Sequence, residues 1–346
     1  MPPTHIARGA AMLAWSLCMA SAPLLAAEPD LSACKGITVD ADRLSCYDRE
    51  VGRAAMVALP PPVPIQPEAH KAHSLLSSYW ELDADDKRGT FNFTGYQPNY
   101  FLPFQTSTRI NQAPTSPTRG TSSDLPSYKH IESKLQLSLR TKVAQDLLLP
   151  NADLWVAYTQ ESLWQMWNQH SSAPLRVTDY QPELIYAMPT PASLQGPVLG
   201  WSWRLAQVGF LHESNGQSGS LSRSWSYIYA LAGIEREDMT LTWRLEQRVD
   251  GFEATDKDDN PDIVHYLGRS QFKLGWIPGL STASLTWRPS LSGKGSLQLD
   301  WTYPLDRSKP DGVRAYVQLF HGYGETILDY NFQQTSLGVG LTLLKF

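Results

Sequence analysis

From Phe91 onward, apolar and polar residues alternate singly along much of the chain. Leu135, Leu137 and Leu139 alternate with Gln136, Ser138 and Arg140; Leu154, Val156 and Tyr158 with Trp155, Ala157 and Thr159. The same holds for Leu241, Trp243 and Leu245 against Thr242, Arg244 and Glu246, and for Phe272, Leu274 and Trp276 against Gln271, Lys273 and Gly275. Leu297, Leu299, Trp301 and Tyr303 oppose Ser296, Gln298, Asp300 and Thr302, and Val313, Ala315, Val317 and Leu319 oppose Arg314, Tyr316 and Gln318. A period of two puts successive side chains on opposite faces of an extended strand. The pattern predicts twelve strands, at about 98–106, 133–140, 152–160, 182–188, 200–214, 224–234, 240–250, 264–276, 281–288, 294–303, 312–321 and 335–344.

Mid-strand charges such as Arg244, Glu246 and Lys273 lie opposite the apolar face. In a soluble sandwich that face would meet water; in a small barrel it fills a polar interior. Charged residues are only 18% of the chain, and its 12 Trp and 15 Tyr suit the aromatic belts of a membrane barrel. After the N-terminus no apolar run reaches the roughly 18 residues a membrane helix needs. A net charge of -5 offers no support for nucleic-acid binding. Phe346 is a common last residue of outer-membrane barrels, although Leu337, Val339, Leu341 and Leu343 are out of phase with it. The expected fold is therefore all-β, a twelve-stranded antiparallel transmembrane barrel with a short N-terminal periplasmic extension.

The first residues read as a secretory signal: His5 and Arg8, an apolar stretch from Gly9 to Leu25, and small residues up to Ala27. Cleavage between Ala22 and Ala27 removes Cys18, leaving Cys34 and Cys46 in a compartment that permits disulfides; two idle thiols are the alternative. Leu59 to Pro67 (LPPPVPIQP) is a stiff linker. The expected divisions are a signal peptide over 1–27, an extension and linker without catalytic residues over 28–90, and the barrel over 91–346.

Chemistry concentrates in Phe210 to Tyr229, FLHESNGQSGSLSRSWSYIY. His212 and Ser214 are two apart, so a strand points both to one face, shared with Phe210, Val208 and Ala206, the lipid-facing phase. Polar side chains aimed at lipid are expensive unless they have a task. With a turn centred near Gly219, antiparallel partners place His212 opposite Ser226, Ser214 opposite Ser224 and Gly216 opposite Ser222. A serine nucleophile, a histidine base and a third group that fixes the imidazole form a hydrolytic constellation.

This segment resembles the signature of the outer-membrane phospholipase A family, a His-x-Ser-Asn-Gly stretch followed by Ser-Arg-Ser-Trp. The similarity runs from about Asn92 to Phe346 and includes YQPNY (Tyr96–Tyr100), DNPDI (Asp259–Ile263) and GYGETILDYNFQQ (Gly322–Gln334). The resemblance implies a calcium-dependent hydrolase of the outer membrane, acting on the acyl esters of glycerophospholipids (A1, A2 and lysophospholipid), with its active site on the outer-leaflet side. It implies Ser214 as nucleophile, His212 as base and Gly216 as an oxyanion-hole amide. Calcium would be held by the Ser222 side chain and by the backbone carbonyls of Gln217 and, from a second subunit, Ser172. The family's active form is a homodimer, and Gln160 matches its interface glutamine, in phase with Leu154, Val156 and Tyr158.

Two positions depart from the family. Ser226 stands where the third catalytic residue is usually Asn, and a serine hydroxyl can still accept the imidazole bond. Gly219 stands where an Asp helps hold a second, weaker calcium, which leaves Asp259 as the other expected ligand of that site without its companion. Residues Asp256 to Asp262 (DKDDNPD) lack the Gly and Glu of an EF-hand and read as a solvated loop. The rival readings are a non-enzymatic barrel (a pore, or a hydrolase weakened at Ser226) and a lipopolysaccharide deacylase, whose signature is absent.

Overall fold

The computed structural model describes residues 31–51, 74–123, 125–172, 175–251 and 258–343. The expected signal peptide, the proline linker and Phe346 lie outside the described residues. The chain divides into two units, residues 1–69 and 70–346. In the first, a 3-10 turn over Leu31–Gly36 and helix α1, Asp40–Glu50, are joined by a disulfide between Cys34 and Cys46, whose Cα atoms are 5.6 Å apart. Both cysteines are buried, so the bridge is the core of this small piece.

The second unit is a closed barrel of twelve antiparallel strands. They are β1 (Tyr100–Ser107), β2 (Ile131–Ala144), β3 (Asp153–Trp164), β4 (Leu175–Pro189), β5 (Ser202–Ser214) and β6 (Ser224–Arg236). The others are β7 (Met239–Arg248), β8 (Ser270–Trp276), β9 (Thr282–Pro289), β10 (Gly295–Pro304), β11 (Arg314–Tyr323) and β12 (Gln333–Thr342). Each strand pairs with its sequence neighbour, and β12 pairs with β1 to close the wall. All twelve expected strands are present. One begins later than its alternation suggested: residues 263–267 form a helical turn, because Ile263 and Leu267 are both buried at i and i+4 and draw the segment into a turn against the interior. Gly268 then redirects the chain with φ +73°, where an added Cβ would strike the Pro289 carbonyl.

The alternation resolves as a barrel inside out. Leu137, Val156, Leu184, Val208, Ile228, Trp243, Leu299 and Val339 are exposed on the outer wall. Trp243, Phe272 and Trp287 stack side by side there, with centroids 6.0 and 5.4 Å apart. The alternate positions point inward, and many of their polar groups pair with one another. Lys134 reaches Glu161 and Gln318, each at 3.0 Å, and Glu325 at 3.6 Å. Glu246 joins Arg244 at 2.8 Å and Arg288 at 2.7 Å. Asp300 collects Tyr316 at 2.7 Å, and Ser284 and Gln318 at 3.1 Å.

Both ends of the interior are filled. At the end where Glu237 and Asp238 alone join β6 to β7, a helix over Leu75–Trp80 enters the barrel, capped by Ser74 Oγ on the Ser77 amide at 2.9 Å. Leu76, Trp80 and Leu82 pack on Trp155, Ala157, Ile185, Ala187 and Leu205. The Arg140 guanidinium lies 4.0 Å from the Tyr79 ring centre and 4.2 Å from that of Trp80. The expected extension over 28–90 includes this helix, which belongs to the same compact unit as the barrel, residues 70–346; the short polar segment hides its few core anchors among serines and acids. At the opposite end, residues 325–330 fold inward. Glu325 there takes Gln105 at 2.5 Å and Ser336 at 2.6 Å, and Asp329 takes Asn111 at 2.9 Å and Arg176 at 3.2 Å.

Candidate active site

The site is built on the β5–β6 hairpin at the end with the long loops. Register places His212 opposite Ser226 and Ser214 opposite Ser224, as the turn position predicts. Inside the barrel the intervening side chains anchor the strands: Glu213 accepts Trp225 Nε1 at 2.7 Å and Gln181 Nε2 at 2.9 Å. Leu211, Trp225 and Tyr227 are buried with it, so His212 and Ser214 are left on the outer face, half-buried. His212 Nδ1 lies 2.9 Å from Ser226 Oγ, and Ser226 is 1% exposed. With Nδ1–H donating to that hydroxyl, Nε2 is the basic nitrogen of the ring.

Past Ser214 the ladder gives way to a loop organised by Asn215. Its Oδ1 accepts the amides of Gln217 at 3.2 Å and Arg223 at 3.0 Å, and its Nδ2 donates to the Leu221 carbonyl at 2.8 Å. Gly216 and Ser222 are therefore not a strand pair; the pairing expected of them ends one step earlier, with Asn215 N–H on the Arg223 carbonyl at 3.0 Å. Gly216 has φ +62°, which favours glycine, and an added Cβ would sit 3.0 Å from the Tyr180 ring, a tight approach. Its amide points to Ser214 Oγ at 3.2 Å.

Of the expected calcium ligands, Ser222 Oγ donates to Asp259 Oδ2 at 2.8 Å. Gln217 stays close to the β4 entry, its Nε2 3.4 Å from the Arg176 carbonyl. The Ser172 carbonyl is half-buried and accepts Trp164 Nε1 at 2.7 Å, which fixes the loop that presents it. A set of one hydroxyl and two backbone carbonyls is chemically suited to a hard cation such as calcium. Because Ser222 gives its proton to Asp259, its lone pairs are available for such an ion, so these residues fit the group.

In the described part of the stretch Asp256 to Asp262, expected to be solvated, two residues are buried instead. Asp259 and Asn260 are 4% and 0% exposed; Asn260 Oδ1 accepts the Ser224 amide at 3.1 Å, and Asp259 is paired with Arg119. Close by, burial first and then the Asp262 carboxylate push the Tyr330 hydroxyl upward, so it remains a donor to Asp262. Asn215, Arg119 and Asn260 were not singled out by sequence. Asn215 stands inside the motif and could have been; the other two reach the site only through tertiary contacts.

On the outer wall, Gln160 is half-buried beside Tyr158, whose hydroxyl donates to Gln160 Oε1 at 3.1 Å. Gln160 pairs with Tyr180, Tyr180 with Ser214, and Ser214 with Ser224. One row across four strands thus joins the expected interface residue to the expected nucleophile.

Residues 76–343 match the family model for phospholipase A1. This chain belongs to the phospholipase A1 family. A relative from Neisseria meningitidis serogroup B is 40% identical, the match covering 79% of this chain and 71% of the relative. Phospholipase A1 of Escherichia coli is 33% identical, covering 80% of this chain and 90% of its own. Among solved structures, outer membrane phospholipase A from Escherichia coli aligns with a TM-score of 0.65 at 31% identity, over 78% of this chain and 98% of that one. The calcium-bound dimer of the Salmonella typhi outer membrane phospholipase aligns at 0.66 and 30% identity, over 79% and 97%. The barrel is accordingly that of a Gram-negative outer-membrane phospholipase, an ester hydrolase.

Proposed function

We propose that this chain hydrolyses the acyl esters of membrane glycerophospholipids through Ser214, activated by His212, at both acyl positions and on lysophospholipids. The observation that carries this reading is the His212–Ser226 bond on the lipid-facing wall, with Ser214 next along the same face. Nδ1–H held by Ser226 leaves Nε2 to take the Ser214 proton as Oγ attacks the ester carbonyl. The Gly216 amide, already directed at Ser214 Oγ, is placed to stabilise the oxygen that gains charge. His212 then hands its proton to the departing alcohol oxygen, the lysophospholipid leaves, and water admitted to the acylated serine releases the fatty acid.

Calcium would be held by Ser222 Oγ and the Gln217 carbonyl, with the Ser172 carbonyl coming from a second copy, and would add positive charge beside the developing oxyanion. The Salmonella typhi relative, a dimer with bound calcium, supports this reading. So does Gln160, a polar group on the outer wall that a second Gln160 would satisfy. Against a pore stand the helical plug over Leu75–Trp80 and the inward residues 325–330, which occupy the two ends of the interior.

The deciding measurement is fatty-acid release from phospholipid in detergent micelles with calcium present. Chelation should stop turnover, and Ser214→Ala should abolish it while the protein still migrates as a heat-modifiable barrel. Full turnover by that variant refutes the serine mechanism; turnover that survives chelation refutes the metal.

A further inference from the structure

Asp259 is a buried carboxylate beside the site, 4% exposed, and its two oxygens have different partners. Oδ1 takes the Arg119 guanidinium through Nε and a terminal nitrogen. Oδ2 accepts Ser222 Oγ at 2.8 Å and Ser224 Oγ at 3.2 Å. Arg119 is delivered by a built contact: it sits between the short paired strands Thr115–Ser116 and Gly120–Thr121. That hairpin is pinned to the same stretch by Ser116 Oγ on the Asp259 carbonyl and Thr118 Oγ1 on the Asp258 carbonyl.

A serine hydroxyl has one proton and two lone pairs. It can serve a cation only when its proton is turned elsewhere, and Asp259 is where Ser222 turns it. Asp259 can do so from a buried position only while a positive charge accompanies it. We propose that Arg119 is a positioning residue, the resident cation of Asp259. It keeps that carboxylate as the acceptor for Ser222, and it keeps a second metal ion off Asp259. The inference rests on Ser222 being a calcium ligand.

The test is calorimetric titration of calcium chloride into the full chain in detergent, in a Ser214→Ala background so that no turnover intervenes. Arg119→Gln should gain a further calcium per chain, taken by the uncompensated Asp259. Arg119→Lys, which keeps the charge, and the pair Arg119→Gln with Asp259→Asn should both show the parent's number of ions. With Ser214 restored, Arg119→Gln should raise the calcium needed for half-maximal hydrolysis about threefold to tenfold, the scale of one misdirected hydrogen bond, with KM for lipid unchanged. A parent-like isotherm for Arg119→Gln, or an extra ion that persists in the double variant, overturns the proposal. Should Arg119→Gln fail to form a heat-modifiable barrel, Asp259→Asn alone decides: it must weaken calcium binding without changing the number of ions, and unchanged binding is the refuting result. If the parent hydrolyses lipid yet takes up no calcium, the metal role of Ser222 fails and this inference with it; if the parent binds calcium and Arg119→Gln is silent, only the inference fails.

Discussion

The barrel carries polar groups on both its faces, and the two sets are built differently. Inside, they are many and charged, and they cancel: Lys134 against Glu161 and Glu325, Glu246 between Arg244 and Arg288. Outside, near the rim, His212, Ser214 and Ser226 are few and uncharged or aromatic, and His212 is bonded to the Ser226 hydroxyl. The inner set is a substitute for an apolar core, in which every charge needs its partner. The outer set faces lipid, where a polar group is expensive unless it has a task. Charge removed inside should therefore cost stability, whereas contacts removed outside should cost rate.

The largest effect expected within this contrast is from Lys134→Met. It strands Glu161 and Glu325 with less compensation, and breaking a buried pair costs about 3–5 kcal/mol. The denaturant midpoint of the heat-modifiable band should fall accordingly, while hydrolysis per folded molecule stays near the parent's. Equal loss of specific activity would break the division between the faces.

Ser226→Ala reverses the pattern. A neutral hydrogen bond contributes about 0.5–1.5 kcal/mol, so kcat should drop roughly threefold to tenfold with the midpoint unmoved. Ser226→Asn, which offers a carbonyl on a longer arm, should keep or raise kcat. If Ser226→Ala is as inactive as Ser214→Ala, or indistinguishable from the parent, another residue orients His212.

The smallest effect is expected at Gln160. Hydrogen bonds between membrane-embedded segments average about 0.6 kcal/mol, so Gln160→Leu should weaken dimerisation only about threefold, read by crosslinking across a dilution series. A strictly monomeric parent that remains active would remove the dimer from the proposed mechanism.

The strands were legible in the sequence because a wall one residue thick, with lipid on one side and charge on the other, writes its faces in strict alternation. His212 and Ser214 were legible because they share one strand, and Ser226 because a hairpin's register follows from its turn. The plug and the helical turn at Ile263–Leu267 were not, since each is fixed by only a few buried anchors within short polar stretches. Arg119 was further out of reach: the pair it forms with Asp259 spans 140 residues, and neither end carries a local pattern.

The row that runs from Gln160 through Tyr180 to Ser214 also sets a height. Neighbouring strands lie about 4.8 Å apart, so the two residues are separated by roughly 10 Å along the row. With strands tilted by about 40° in such barrels, that row climbs as it crosses the wall, and Gln160 and Ser214 differ in membrane depth by about 6 Å. Their levels are set by the hydrogen-bonded ladder and no loop can adjust them. The wall is thus a ruler as well as a scaffold: it marks the depth at which a lipid must present its ester to Ser214.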